Sequence, residues 1–252
     1  MASTSLLKRG STYDEVYNNF EWDIPEIYNI ANDVCDRWAD DPQRVALVYE
    51  DTEKNRHIYT FADVRKYANQ LANAFKTWGF GRGDAVTLVL AQDPECAIAH
   101  VACWKAGMVS GPCSVLFAGD AIAYRLNDCG AKAVITDMAN YPKIAQVRAQ
   151  CPKLEQVVVI DGDVEGAANF WSLLEGQDDT YTNVETKAED VAWISYTSGT
   201  TGLPKGSVQP HRMMLGHMPS LEFIYDFFPQ DNDALWSPAD WAHRCPGGKN
   251  RR

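Results

Sequence analysis

Apolar positions along the chain switch repeatedly between two periods. Ile27, Ile30, Ala31, Val34 and Trp38 recur at helical spacing and predict a helix over Pro25–Trp38, ended by Asp40, Asp41 and Pro42. Arg44–Glu50 then reads as a strand, with Arg56–Tyr59 as its hairpin partner across a polar turn. Thr60 is a good N-cap, and Phe61, Val64, Leu71, Phe75 and Trp78 mark one face of the helix that follows, closed by Gly79. Short apolar runs at Ala85–Ala91, Met108–Val115, Lys132–Thr136 and Gln156–Ile160 predict strands. Between them, Pro94 to about Ala106, Asp120–Asp128 and Tyr141–Ala149 read as helices, the second ended by Gly130. Residues 161–190 are acidic and turn-rich and predict a surface loop with one short helix near Trp171–Leu174. Val191–Tyr196 is a buried strand, and Ser207–Gln209 is strand-like.

Helices alternating with short strands that are apolar on both sides imply an α/β fold, a parallel sheet with helices on both faces. The segment MMLGHMPSLEFIYDFF is apolar at helical spacing but carries Gly216 and Pro219, which predict interruptions. Its methionines suit core filling. Ala234–Trp241 reads as a further strand and the loop after it. Residues 1–19 are polar and predict a loosely held N-terminal segment.

Composition narrows the class. The 252 residues are 46% hydrophobic and 23% charged, which excludes a disordered chain. A net charge of −11 argues against a nucleic-acid binder. The seven cysteines are odd in number and include no CxxC pair, which predicts buried free thiols in a reducing compartment rather than a zinc site or disulfide framework. No apolar stretch approaches the eighteen residues of a membrane span, and no signal-peptide core opens the chain, so the expectation is a cytoplasmic protein. The last ten residues, HRCPGGKNRR, hold four of the 23 basic residues and no acid, a separate composition.

The densest chemistry lies in YTSGTTGLPKG, residues 196–206. A strand runs into a loop of four hydroxyls, three glycines and one lysine. Glycines let successive backbone N–H groups converge on one anion, hydroxyls add donors, and Lys205 adds a reaching point charge. Such a loop suits a polyphosphate. It is not the GxxxxGK[ST] loop of nucleoside triphosphatases, because Pro204 precedes the lysine and a strand follows it. The alternative is a plain Gly/Ser/Thr linker, which rarely follows a buried strand. Asp40-Asp41 and Asp178-Asp179 read as turn pairs, and no Ser-His-Asp triad stands out.

YTSGTTGLPKG resembles the signature loop of the adenylate-forming enzymes. The resemblance covers roughly residues 20–242 and includes FEWDIPEIYNIANDVCDRWA, YTFADVRKYANQLANAFKTWGFGRGDAV, KAGMVSGPCSVLF and AIAYRLNDCGAKAVITD. It is closest to acyl-CoA synthetases of the medium-chain and acetyl-CoA synthetase branch. The resemblance implies ATP, Mg2+ and coenzyme A as co-substrates or cofactors and a small carboxylate as acyl donor. Carboxylate and ATP would give an acyl adenylate, and the CoA thiol would then displace AMP. It implies Thr197, Ser198, Gly199, Thr200, Thr201, Gly202 and Lys205 on the β- and γ-phosphates, with Lys205 catalytic. Each such donor is worth about 3 kcal/mol in comparable sites. His211 and Arg212 carry a weaker implication of a substrate-side role, against the alternative that His211 bonds at the start of a helix.

The pattern departs from the family at Ala242 and His243, where Gly-Trp is the family's pair, and no Tyr-Gly-x-Thr-Glu segment follows. The resemblance therefore implies an incomplete large N-terminal domain over 20–242, with 80–210 a nearly complete lobe and 243–252 an anomalous tail. A truncated or frameshifted synthetase, inactive alone, is the expectation, against a natural short chain that binds nucleotide without catalysis or serves as an interaction fragment. Phe223–Phe228 is the candidate exposed apolar face.

Overall fold

The computed structural model describes residues 6–197, 203–230, 233–237 and 241. A short helix α1 (Tyr13–Asn18) is followed by α2 (Ile30–Val34) and a 3-10 turn at Asp36–Trp38. The hairpin β1 (Val45–Glu50) and β2 (Arg56–Thr60) leads into α3 (Phe61–Thr77). Then come β3 (Ala85–Val89), α4 (Pro94–Lys105), β4 (Val109–Pro112), α5 (Gly119–Cys129), β5 (Ala133–Thr136) and α6 (Tyr141–Val147). The remainder is β6 (Gln156–Val159), β7 (Ala168–Asn169), α7 (Phe170–Leu174), β8 (Val191–Thr197), β9 (Lys205–Pro210) and α8 (Met213–Ile224).

Seven strands form one sheet in the order β7-β6-β5-β3-β4-β8-β9. All neighbours are parallel except β9, which runs antiparallel to β8. Period-two alternation splits the core into two layers. Ala133, Ile135 and Val158 face α3, α4 and α7 in one cluster, while Val134 and Val157 face α5 and α6 in the other. A strand buried on both faces has no polar side to show, which is why β3 and β5 read as apolar runs with only a buried threonine in each, Thr87 and Thr136.

Local chemistry explains several element ends. The Thr60 hydroxyl accepts from the Asp63 N–H at 3.1 Å and the Asp63 carboxylate accepts from the Thr60 N–H at 2.8 Å, a reciprocal capping box that starts α3. Gly130 closes α5 at φ 63°, a left-handed cap that a glycine adopts without strain.

Four expectations are corrected. Residues 25–29 are not helical: the Tyr28 N–H donates to Thr186 O, the Ala188 N–H to Glu26 O, and Ile27 bridges Lys187. Pairing with a segment some 160 residues away outweighs the local helical period there. Residues 161–190 contain a strand, β7, which adds to the sheet edge beside β6. Helix α8 runs through Gly216 and Pro219 without a break, because its buried Leu215 and Glu222 hold it against the fold; the Glu222 carboxylate accepts the N–H groups of Leu6 and Leu7, each at 2.7 Å. Residues 233–237 are irregular rather than a strand.

Candidate phosphate-binding hairpin

Strand β8 is held from within. The Trp104 indole N–H donates to Ala192 O at 3.0 Å, and Trp193 pairs with Ser110 of β4. On the other side β8 pairs with β9 from Val191↔Pro210 to Thr197↔Lys205. The signature loop is therefore the connection of a β-hairpin, and Thr197 and Lys205 stand opposite one another at its neck. Both are exposed. Ser198, Gly199, Thr200, Thr201 and Gly202 lie outside the described residues.

The neck sits at the carboxyl end of the parallel strands, the side on which open α/β sheets bind ligands. Gly206 faces the Ile194 side chain: a Cβ there would lie 2.9 Å from Ile194 Cδ1, so the strand pair approaches closely only because the residue after Lys205 has no side chain.

Helix α5 underlies the hairpin. The Tyr124 hydroxyl donates to Pro204 O at 2.9 Å. The Tyr196 hydroxyl donates to the Asp128 carboxylate at 2.7 Å and lies 3.3 Å from Arg125 O. Burial pushes the Tyr196 phenol well above its usual range, and the bond to Asp128 adds to the shift, so it stays protonated and donating. The Arg125 guanidinium lies 3.9 Å over the Phe117 ring and 5.4 Å from the Tyr196 ring. The sequence pattern marks none of Tyr124, Arg125 and Asp128 as a site residue. The available signal was Tyr124 and Asp128 one turn apart on a helix face.

His211 and Arg212 are not gathered with Lys205. They follow the far end of β9, about 17 Å along the strand at the usual rise per residue. His211 is fully buried, and its Nδ1 accepts from the Ile30 N–H at 3.1 Å, so it satisfies the start of α2. Burial lowers its pKa to about 4, opposed by Asp190 and reinforced by Arg82. Arg212 pairs with Glu189 at the surface.

A cleft of about 450 Å³ opens between the β1–β2 hairpin and the ends of β3, β5 and β6. Asp51, Asp93, Glu95, Asp137 and Asp161 line it. Burial raises the pKa of both Asp93 and Glu95, and neighbouring carboxylates add to it. Such a cleft repels a triphosphate.

A family model described as AMP-binding enzyme matches residues 35–246. The chain belongs to this AMP-binding family. Among its relatives, the human mitochondrial acyl-coenzyme A synthetase ACSM3 is 31% identical over 95% of this chain and 42% of its own length. An acetyl-coenzyme A synthetase of Gemmatimonas aurantiaca is 32% identical over 87% of this chain and 38% of its own. In structure, an acyl-CoA synthetase of Brucella canis matches with a TM-score of 0.80 at 25% identity, over 90% of this chain and 43% of that one. The anthranilate CoA ligase AuaEII, solved with anthranoyl-AMP, matches with a TM-score of 0.67 at 29% identity over 75% of this chain and 36% of that one. The chain spans about two fifths of the length of these AMP-binding relatives.

Proposed function

We propose that this chain carries the triphosphate-holding part of an ATP-dependent acyl-CoA synthetase, an acid–thiol ligase that makes acyl-CoA, AMP and pyrophosphate through an acyl adenylate. The observation that carries the reading is the hairpin neck, Thr197 opposite Lys205 at the carboxyl end of a parallel sheet, in a chain of the AMP-binding family. Relatives named as acyl- and acetyl-CoA synthetases support it.

In the first step a carboxylate oxygen bonds to the α-phosphorus and the bond to the pyrophosphate oxygen breaks. Negative charge moves onto the leaving group. Donors fixed beforehand on the β- and γ-phosphates stabilise that charge without reorganising. The proposed donors are Thr197, Ser198, Gly199, Thr200, Thr201, Gly202 and the Lys205 ammonium. Mg2+ is proposed to arrive on the triphosphate and neutralise part of its charge. Among the described residues no group of three or more His, Cys, Asp or Glu is placed to hold a metal ion, so Mg2+ would be brought with the nucleotide. A place in fatty acid metabolism and in a reducing, cytoplasmic setting is proposed with this chemistry. The six described cysteines carry free thiols and five of them are buried, which fits such a setting.

The alternative is a fragment that binds nucleotide without turning it over, favoured by the two-fifths coverage of the relatives. Two measurements separate the readings. Lys205→Ala should weaken MgATP binding by about ten- to a hundredfold, the range for a charge-assisted hydrogen bond, with the thermal midpoint unchanged because Lys205 is exposed. Unchanged affinity would remove the phosphate role. Exchange of labelled pyrophosphate into ATP on adding a carboxylate then reports adenylation, and binding without exchange supports the fragment reading.

A further inference from the structure

Three side chains of helix α5 meet the signature hairpin. Tyr124 reaches the Pro204 carbonyl, the last peptide group before Lys205, at 2.9 Å. Asp128, one turn further along the same face, takes the Tyr196 hydroxyl at 2.7 Å, one residue before Thr197. The two tyrosine rings meet edge to face with centroids 6.5 Å apart. Each leg of the hairpin is therefore tied to the helix next to the residue that the phosphate reading uses.

Arg125 supplies a second, independent observation. It is 5% exposed, its Nη1 donates to Ala121 O at 2.6 Å, and its Nε has no partner. Among the described residues no carboxylate lies within ion-pair distance of it. A buried cation without a counter-ion thus sits against the Phe117 and Tyr196 rings, beside the hairpin neck. In a medium of reduced dielectric that charge favours an anion at the neck over the bare hairpin.

We propose that Tyr124 and Asp128 are positioning residues for triphosphate binding: they clamp the two legs of the β8–β9 hairpin so that Thr197 and Lys205 keep a fixed separation, with Arg125 supplying positive potential beneath. Among the described residues no strand pairs with the outer side of β9, so the helix below limits the motion of the hairpin neck. Preorganising the donors lowers the ordering cost of binding a polyphosphate. The proposal rests on the phosphate reading of the hairpin.

The test uses the 252-residue chain and MgATP, with amide hydrogen exchange as a readout that needs no ligand. Tyr124→Phe removes one hydroxyl and keeps the ring. It should speed exchange at the amides of Lys205 and Gly206 while leaving α5 protected, and should weaken MgATP binding about five- to tenfold. Asp128→Ala should do the same through Tyr196. Asp128→Asn retains an acceptor oxygen and should restore both exchange protection and affinity, which a merely packed side chain would not predict. Unaltered exchange at Lys205 and Gly206 in Tyr124→Phe overturns the clamp whatever ATP does. Equal loss in Asp128→Asn and Asp128→Ala also overturns it, since a hydrogen-bond acceptor is then not what matters. If Lys205→Ala leaves MgATP affinity intact, the phosphate reading itself fails, and the positioning role falls with it. If Lys205→Ala weakens binding and Tyr124→Phe does not, the phosphate reading stands and the positioning role alone is lost.

Discussion

His100 shows how far burial can move a single group. Its ring clusters with the indoles of Trp193 and Trp104, with centroids at 4.6 and 5.5 Å, and neither ring nitrogen has a partner among the described residues. Burial alone lowers its pKa to about 3, and burial is the main cause of the lowered value of about 4 at His211. In the unfolded chain both histidines return to about 6.5. As pH falls below that value the unfolded chain takes up protons first, so stability present above about pH 6.5 is lost progressively. The loss ends near pH 4 for His211 and near pH 3 for His100. His100→Phe keeps a stacked ring and removes one titrating group. Urea unfolding from pH 7 to 4 should therefore fall less steeply in His100→Phe than in the unaltered chain, and equal slopes would refute the burial account.

Ion pairing and capping decide which elements dock where. Lys105 ends α4 at 2% exposure, and its ammonium lies 2.5 and 2.6 Å from the two Asp36 oxygens and 3.2 Å from Asn183 Oδ1. This joins α4 to the 3-10 turn after α2 and to the long segment before β8. Asp36→Ala leaves a buried ammonium with one amide partner and should cost about 3–5 kcal/mol of stability by denaturant unfolding. Adding Lys105→Met in the same chain should recover most of that loss, because no buried charge remains. At the other end of the range, Thr60→Ala should cost only about 1 kcal/mol, since it removes one half of the α3 capping box. A loss above 3 kcal/mol there would mean Thr60 does more than cap.

At the scale of the whole molecule, the inner strands β3 and β5 are covered on both faces while apolar side chains of α1 and α8 remain exposed. Tyr17 stacks on Tyr13, and Tyr13 meets Phe223 edge to face. Ile224 beside them is 63% exposed, and Trp236 is 81% exposed. Exposed apolar side chains of this kind promote association. The 252-residue chain should therefore self-associate with rising concentration in sedimentation experiments, and Ile224→Lys with Trp236→Lys should reduce that association without lowering the thermal midpoint. A chain that stays monomeric at 100-fold higher concentration (on the order of 100 µM) would contradict this.

The sequence by itself determined most of the element order and marked the loop proposed here to hold phosphate. Periods of two and 3.6 are local consequences of strand and helix geometry, so β3, β5, α3 and α5 are legible from neighbouring residues alone. The loop at 196–206 is legible for the same reason, because glycine, hydroxyl and lysine chemistry is concentrated in one stretch. Only the tertiary structure decided what distant segments do to one another. Residues 25–29 became extended by pairing near residue 187, and Ala168–Asn169 became a strand by joining β6. Proline 219 stayed inside a helix held by the N–H groups of Leu6 and Leu7 on Glu222. His211 turned to the start of α2, and α5 came to lie under the hairpin 80 residues later in the chain. These outcomes depend on contacts between groups far apart in sequence, which leave no mark on the local period of either partner.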